Sequence, residues 1–240
     1  MLGKIVNRDG EDIDYTLHLG DDQVKEIVVL GHGVTGNKDR PFLVELATAI
    51  AKTGIHVLRF SFTGNGKSGG HFSDSTITKE IEDLESVLKA IPEYTITYVG
   101  HSMGGAVGVL CASRNLRISK LISLAGMVHT ETFAEREFGT EEPDAGYMWG
   151  EEDCPLSKIY MDDMSNIKTV VNTGSDIKVP WLLVHGSEDD VVPLSDSEDI
   201  KQMSGSNADL RVIDGADHVF SNHTSEMADI VVDWLLSRKL

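Results

Sequence analysis

The chain has 240 residues, 40% of them hydrophobic and 25% charged, a composition typical of a globular domain that buries a sizeable core. Its 21 Lys and Arg against 39 Asp and Glu leave a net charge of −18, which disfavours nucleic-acid binding. No apolar run approaches the roughly 20 residues of a membrane span, and residues 1–10 lack the pattern of a signal peptide. Neither Cys-x-x-Cys nor His-Glu-x-x-His occurs, which argues against a disulfide framework or a zinc site. We therefore expect a cytoplasmic protein without metal, other cofactor, nucleic-acid partner or membrane contact.

Short apolar runs alternate with helical patterns along the chain. Apolar and polar residues alternate over 13–19, after the turn at Asp9-Gly10, which predicts an antiparallel hairpin with residues 4–6. Continuous apolar runs predict strands covered on both faces, at 27–30, 55–60, 95–99, 118–125, 181–184 and 210–213. Apolar residues spaced by three and four predict amphipathic helices, at 42–50, 77–91 and 227–235. This alternation indicates an α/β fold with a mostly parallel central sheet flanked by helices, in one domain over 1–240.

Residues 127–178 interrupt the alternation, and they are too many for a simple connection. They hold 12 acidic and 4 basic residues, an excess of 8 negative charges. Aromatic residues are also frequent there: Phe133, Phe138, Tyr147, Trp149 and Tyr160. We expect the segment to fold as a cap over a site, and a plain structural excursion is the alternative.

Two pentapeptides fit the Gly-x-Ser-x-Gly pattern of a nucleophilic serine on a sharp strand-to-helix turn. Ser102, in 100–104, directly follows the predicted strand 95–99 and precedes a helix-compatible segment. Ser68, in 66–70, lies well beyond its strand and runs into Gly-Gly-His-Phe. The Gly-Lys-Ser sequence at 66–68 also ends like a phosphate-binding loop, but Ser61 occupies the first glycine position and no helix start follows. The context therefore favours Ser102 as a nucleophile and a surface loop around Ser68.

A serine nucleophile needs a base that takes its proton and a carboxylate that orients the base. In Gly-x-Ser-x-Gly enzymes these groups follow in the order serine, acid, histidine, each after a strand. Three adjacent carboxylates, residues 188–190, follow the predicted strand 181–184, and His218 follows the strand 210–213. His218 is the expected base, with His223 as the spare candidate near the start of the last helix.

The oxyanion of an acyl-transfer reaction is stabilised by backbone amides. One donor is expected to be the amide of Met103, directly after the nucleophile. The second is expected to be the amide of Val34, in the glycine-rich loop 31–36 that follows the strand 27–30.

The segments 100–105 and 185–193 resemble the nucleophile and acid signatures of the α/β-hydrolase superfamily, a resemblance that extends over essentially the whole chain. Segments at 32–38, 65–68, 80–84 and 215–218 are similar to small bacterial carboxylesterases, including the cinnamoyl or feruloyl esterases. The resemblance implies the α/β-hydrolase fold, Asp189 as the acid with Asp190 as a fallback, and His218 as the base. It also implies a cap between the sixth and seventh strands of the full fold, where residues 127–178 fall.

These features predict a serine carboxylesterase that acts on a small-molecule ester through Ser102, Asp189 and His218. If the acidic segment rims the entrance, it should repel anionic substrates and favour neutral short acyl or aryl esters. A thioesterase, a small-peptide peptidase and a cofactor-free haloperoxidase remain alternatives on the same residues. The alternative from another functional class is a binding protein that keeps the fold but has no catalytic activity.

Overall fold

A seven-stranded sheet organises the part of the chain that the computed structural model describes, residues 2–238. The strands, in chain order, are β1 Ile5–Val6, β2 Asp12–Ile13, β3 Tyr15–His18, β4 Glu26–Gly31, β5 His56–Phe60, β6 Thr95–His101, β7 Ile118–Leu124, β8 Trp181–Gly186 and β9 Ala208–Ile213. The helices are α1 Pro41–Ala51, α2 Ile77–Ala90, α3 Met103–Ala112, α4 Thr130–Phe138, α5 Lys158–Ile167, α6 Leu194–Ser204 and α7 Thr224–Ser237. Short 3-10 turns lie at Phe72–Asp74, Met148–Gly150, Asn172–Asp176 and Gly205–Asn207.

The main sheet has the strand order β3-β5-β4-β6-β7-β8-β9. Strand β3 pairs antiparallel with β5, and the other pairings in this sheet are parallel, so the predicted mostly parallel sheet is confirmed. Gly100 of β6 lies opposite Gly31 of β4 and Ser123 of β7. The carboxyl ends of the parallel strands therefore meet at one edge, where α/β sheets place their ligand sites.

Apolar side chains form one layer on each face of the sheet, because successive residues of a strand point to opposite faces. Helices α1 and α7 bury residues such as Leu46 and Trp234 in one layer. Helices α2 and α3 bury residues such as Leu84 and Val107 in the other. The helices predicted at 42–50, 77–91 and 227–235 correspond to α1, α2 and α7. None of the helices between residues 2 and 238 combines the length and apolar character that a membrane crossing requires.

Residues 127–178, which we call the insertion, connect β7 to β8 and contain α4 and α5. The insertion has apolar packing of its own, since Phe133, Phe138 and Tyr160 are buried. Helix α5 is held on α2, where the Thr78 hydroxyl donates to Asp163 Oδ1 at 2.5 Å. The start of the insertion is held on α6, because Asp196 Oδ2 accepts from the Val128 N–H at 2.8 Å.

The amino-terminal strands differ from the predicted single hairpin. Strand β1 pairs with β2 in a separate two-stranded sheet, whereas β3 joins the main sheet. Asp14 lies between β2 and β3, and its backbone bonds to residues outside the predicted hairpin. Its N–H donates to the Ser68 hydroxyl and its carbonyl accepts from the Ser61 N–H, both at 2.9 Å. These bonds interrupt the ladder, so the prediction is wrong for residues beyond Ile13.

The last strand also differs from its prediction. Strand β9 is the edge of the sheet, with β8 as its neighbour, and Val212 is 47% exposed. The apolar run 210–213 is therefore not covered on both faces. The order of strands across the sheet decides this exposure, and strand order is not a local property of the sequence.

Gly100 provides a test of the tight packing between β6 and α3. A Cβ at this position would lie 2.1 Å from the Gly104 carbonyl oxygen and 2.8 Å from the Gly105 nitrogen, and these backbone atoms belong to the same turn. We expect Gly100→Ala to lower the free energy of unfolding by about 1 to 3 kcal/mol, as overpacking does in other cores, measured by urea denaturation.

The control is Gly3→Ala, because a Cβ at Gly3 would have no atom within 4 Å. This variant should stay within about 0.5 kcal/mol of the wild type. Equal unfolding midpoints for the two variants would contradict the packing argument.

Candidate active site

Ser102 lies in the sharp turn between β6 and α3. Its backbone has φ 53° and ψ −120°, a conformation that L residues adopt rarely and that needs support from its surroundings. Hydrogen bonds supply this support: the Ser102 N–H donates to Leu124 O at 3.0 Å, and its carbonyl accepts from Gly105 N at 2.8 Å and Met127 N at 3.1 Å. The turn is thereby tied to α3, to the end of β7 and to the start of the insertion.

The loop after β4 passes directly over Ser102. A Cβ at Gly33 would lie 2.7 Å from the Ser102 Cβ and 3.2 Å from its Oγ, so only glycine allows this approach. Val34 follows at once and lines the same cavity as Ser102. Within residues 2–238, the N–H groups of Val34 and Met103 donate no backbone hydrogen bond, and Met103 is the first residue of α3, whose N–H has no partner inside the helix.

The His32 ring fixes this loop by two hydrogen bonds. Its Nε2 accepts from the Phe62 N–H at 3.0 Å, which leaves Nδ1 to donate to the Gly33 carbonyl at 2.8 Å. The Gly36 N–H donates to the same carbonyl at 3.0 Å. Burial is the largest cause that lowers the pKa of His32 to about 4, so the ring is neutral at pH 7 and keeps this pair of bonds.

His218 and Asp189 meet at the same edge of the sheet. His218 Nδ1 lies 2.8 Å from Asp189 Oδ2, and the Asp189 side chain is fully buried. Asp189 Oδ1 accepts from the N–H groups of Val191 at 3.0 Å and Val192 at 2.8 Å. Burial opposes ionisation of Asp189, but hydrogen bonds from His185 and His218 outweigh it and hold the pKa of this carboxyl well below its usual range.

His185, at the end of β8, is a second histidine on the same carboxylate. Its Nε2 lies 2.9 Å from Val192 O and 3.2 Å from Asp189 Oδ2. Both partners accept, so Nε2 carries a proton, and Nδ1 lies 2.7 Å from the Ser197 hydroxyl. The completely buried His185 ring therefore fixes the Asp189 loop to α6.

His101, the residue before Ser102, holds the backbone of His218. Its Nε2 donates to the His218 carbonyl at 2.9 Å, and its ring lies 4.7 Å from those of Phe42 and His218. Burial, followed by the proximity of His218, lowers the pKa of His101 to about 3. The ring is thus a neutral spacer between the Ser102 turn and the His218 loop.

Ser102 and His218 share a cavity of about 340 Å³. Among the described residues 2–238, the Ser102 hydroxyl makes no hydrogen bond to His218, and such bonds often tighten only when substrate is bound. The walls combine the residues of the turn and loops with a few apolar side chains and one arginine. They are His32, Gly33, Val34, Thr35, Gly36, Arg40, Phe42, His101, Ser102, Trp149, Val191, His218 and Val219.

The insertion contributes Trp149 to this cavity, and none of its 12 carboxylates is among the lining residues in the described part of the chain. Trp149 has φ 50° and is fixed by Glu137, whose Oε2 accepts from Trp149 Nε1 at 3.0 Å, and by the Phe138 ring at 4.9 Å. The condition that the acidic segment rims the entrance is therefore not supported by the residues of the described cavity wall.

Known proteins share this architecture. A family model described as serine aminopeptidase, S33, matches residues 22–138. A monoglyceride lipase homolog from Monkeypox virus is 22% identical over 254 residues, which cover 89% of this chain and 90% of that protein. Est1E from Butyrivibrio proteoclasticus, solved with ferulic acid bound, superposes with a TM-score of 0.84 at 22% identity, covering 97% of this chain and 98% of Est1E. The mouse alpha/beta hydrolase domain-containing protein 10 superposes with a TM-score of 0.80 at 17% identity over the whole of both chains. The chain has the α/β-hydrolase fold.

The match to Est1E agrees with the predicted resemblance to bacterial esterases. The S33 match includes the Val34 loop and Ser102 but ends before Asp189 and His218. The pairing of those two residues is therefore known from the geometry of the structure.

The fallback candidates for the acid and the base lie apart from the cavity. Asp190 is exposed, and His223 directly precedes α7; neither is among the lining residues. The Ser68 hydroxyl donates to Ser61 O at 2.7 Å. This bond joins two residues of one loop, in agreement with the predicted surface loop.

Motif and spacing do not single out four residues around this site: Arg40, His101, Trp149 and His185. His101 and His185 do lie inside the quoted signature segments 100–105 and 185–193, which was a usable signal. Trp149 is one of the aromatic residues of the expected cap, but no pattern distinguishes it from the others, and Arg40 has no sequence signal. Each of the two reaches the cavity from a different loop.

The ionised state of Asp189 provides a pH-dependent test. A carboxyl whose pKa is lower in the folded than in the unfolded state stabilises the fold when it is ionised. This contribution is fully present above the unfolded pKa of about 3.9, and it is lost as the pH falls towards the folded pKa. We expect Asp189→Asn to lower the free energy of unfolding by about 1 to 3 kcal/mol at pH 7. The difference from wild type should shrink between about pH 5 and about pH 3, measured by urea denaturation.

Asp190→Asn is the matched control, because its exposed carboxylate should give a small difference at each pH. A difference for Asp189→Asn that stays constant as the pH falls would contradict the assigned ionisation.

Proposed function

We propose that this α/β-hydrolase cleaves carboxylic esters of small molecules through an acyl-enzyme on Ser102. The observation that carries the proposal is the shared cavity, in which His218 is oriented by the buried Asp189 at 2.8 Å and Ser102 lies beside the Val34 and Met103 amides, whose N–H groups donate no backbone hydrogen bond within residues 2–238. A nucleophile, an oriented base and oxyanion donors are the parts that acyl transfer requires.

In the first half of the reaction, His218 Nε2 takes the proton of the Ser102 hydroxyl as Oγ attacks the ester carbonyl carbon. The carbonyl π electrons move to the oxygen, and this oxyanion accepts hydrogen bonds from the Val34 and Met103 amides. Asp189 stays ionised and stabilises the His218 imidazolium. Collapse of the intermediate breaks the bond to the alcohol oxygen, which leaves with the proton from His218.

In the second half, His218 takes a proton from water, and the resulting hydroxide oxygen attacks the acyl carbon bound to Ser102. The same two amides stabilise the second oxyanion. The bond to Ser102 Oγ then breaks, His218 returns the proton to Oγ, and the carboxylic acid leaves. The residues end in their initial protonation states.

The cavity wall supports a small substrate with uncharged groups next to the reacting carbonyl. Its volume of about 340 Å³ lies at the lower end of small-molecule sites. Val34, Phe42, Trp149, Val191 and Val219 give it an apolar surface, which suits a short acyl or an aryl group.

An aminopeptidase reaction is less well supported by the same wall. A free α-ammonium group needs a negative partner when it is taken out of water. Among the described residues, the cavity has no Asp or Glu in its lining. A thioester would undergo the same steps as an ester at Ser102.

Covalent labelling tests the proposed nucleophile. A fluorophosphonate should add one mass adduct to the wild-type protein, located on Ser102, because a phosphonylated serine mimics the tetrahedral intermediate. Ser102→Ala should give no adduct, whereas Ser68→Ala should label like the wild type. An adduct that survives Ser102→Ala would exclude the mechanism.

Substitution of the acid and base tests the remaining assignments. We expect Asp189→Asn to lower kcat for a neutral aryl ester by about 10³- to 10⁴-fold, the size known for loss of the orienting carboxylate. His218→Ala should have at least as large an effect. The controls Asp190→Asn and His223→Gln should stay within about threefold of wild type. A larger loss from Asp190→Asn than from Asp189→Asn would reverse the assignment of the acid.

A further inference from the structure

Arg40 brings a guanidinium group to the wall of the active-site cavity. It directly precedes α1 and is solvent-exposed. Its Nη2 donates to the Thr35 carbonyl at 3.0 Å, which ties the side chain to the loop that carries Val34. A guanidinium has five N–H donors, so this bond leaves most of the group available to a ligand.

Arg40 has no carboxylate within 4 Å in the described part of the chain, although the protein has 39 acidic residues. Other arginines do have such partners: Arg8 pairs with Glu82, Arg59 with Asp39, Arg136 with Glu137 and Arg238 with Asp209. Within residues 2–238, Arg40 is therefore a cation at a cavity whose lining offers it no counter-charge.

The other basic side chains of the wall do not supply a permanent positive charge. His32 and His101 are neutral at pH 7, since burial lowers the pKa of His32 to about 4 and that of His101 to about 3. His218 is engaged with Asp189. Among the described lining residues, Arg40 is thus the permanently charged group that a substrate meets beside Ser102.

We propose that Arg40 binds a carboxylate carried by the ester substrate, at a position away from the reacting carbonyl. The planar guanidinium fork matches the two oxygens of a carboxylate, and such charge-assisted pairs are stronger than neutral hydrogen bonds. This inference rests on the proposed ester hydrolysis at Ser102 and names a substrate class for it: esters in which the acyl or the alcohol part bears a carboxylate.

The net charge of −18 acts against this binding at long range. At physiological salt, however, charges farther apart than about 8 Å are largely screened, whereas a contact pair at Arg40 keeps most of its interaction. The local charge therefore decides the preference at the site, which revises the preference for neutral esters that the charge count alone predicts.

Paired esters of equal shape test the proposal on both sides of the scissile bond. For the acyl side, the mono-para-nitrophenyl ester of adipic acid is compared with that of its neutral half-amide. For the alcohol side, the butanoate ester of para-hydroxybenzoate is compared with that of para-hydroxybenzamide. The readout is the ratio of kcat/KM for the carboxylate ester to that for the amide, at about 0.15 M salt.

Arg40→Gln should lower this ratio by about tenfold in at least one pair, the size of one charge-assisted contact. Arg40→Met, which keeps much of the aliphatic stem, should do the same. Arg8→Gln is the matched control, because it removes one exposed arginine with a carboxylate partner and should leave both ratios within about twofold of wild type.

Ratios within about twofold of wild type in both Arg40 variants and both pairs would overturn the proposal. Equal losses for the carboxylate and amide esters would also overturn it, because they would assign Arg40 only to support of the Thr35 carbonyl. The proposed function fails separately, if the wild-type protein hydrolyses none of the four esters or if Ser102→Ala hydrolyses them like the wild type.

Discussion

The strained turn at Ser102 is the constraint on which the active-site end of this structure depends. A positive φ at a non-glycine residue costs free energy that the surroundings must offset. Hydrogen bonds to Leu124, Gly105 and Met127 do so, and they require β6, α3 and β7 to meet within hydrogen-bond distance. The glycine at 33 lets the loop after β4 approach the same atoms. The sheet edge is thus assembled around one residue.

Electrostatics divide this edge into groups with different tasks. Asp189 is a buried anion because backbone amides and two histidines donate to it. His32 and His101 are buried and neutral, so each can hold a carbonyl of the loop that it supports. Arg40 lies at the solvent side of the cavity and keeps its charge. Burial and the hydrogen-bond partners of each group together decide which of these side chains is charged.

Local patterns predict much of the architecture. The spacing of apolar residues predicts α1, α2 and α7, because each helix needs one buried stripe to pack on the sheet. Most strand positions also follow from their apolar runs. The pairing of the amino-terminal strands and the exposure of β9 do not follow from local patterns. Both depend on which strands become neighbours, a long-range outcome that no window of residues contains.

The sequence by itself determined the α/β class, the chemistry available at Ser102, the three candidate carboxylates 188–190 and the candidate base His218, because these follow from residue type, order and position after strands. The choice of Asp189 among the three carboxylates was implied by the resemblance to the α/β-hydrolase superfamily. The tertiary structure alone decided which carboxylate meets the histidine and that His185 shares it. It also decided that the excess charge of the insertion stays off the cavity wall while Arg40 reaches it. The sign of a net charge is a sum over the chain, whereas a substrate responds to the few groups that folding places within contact distance.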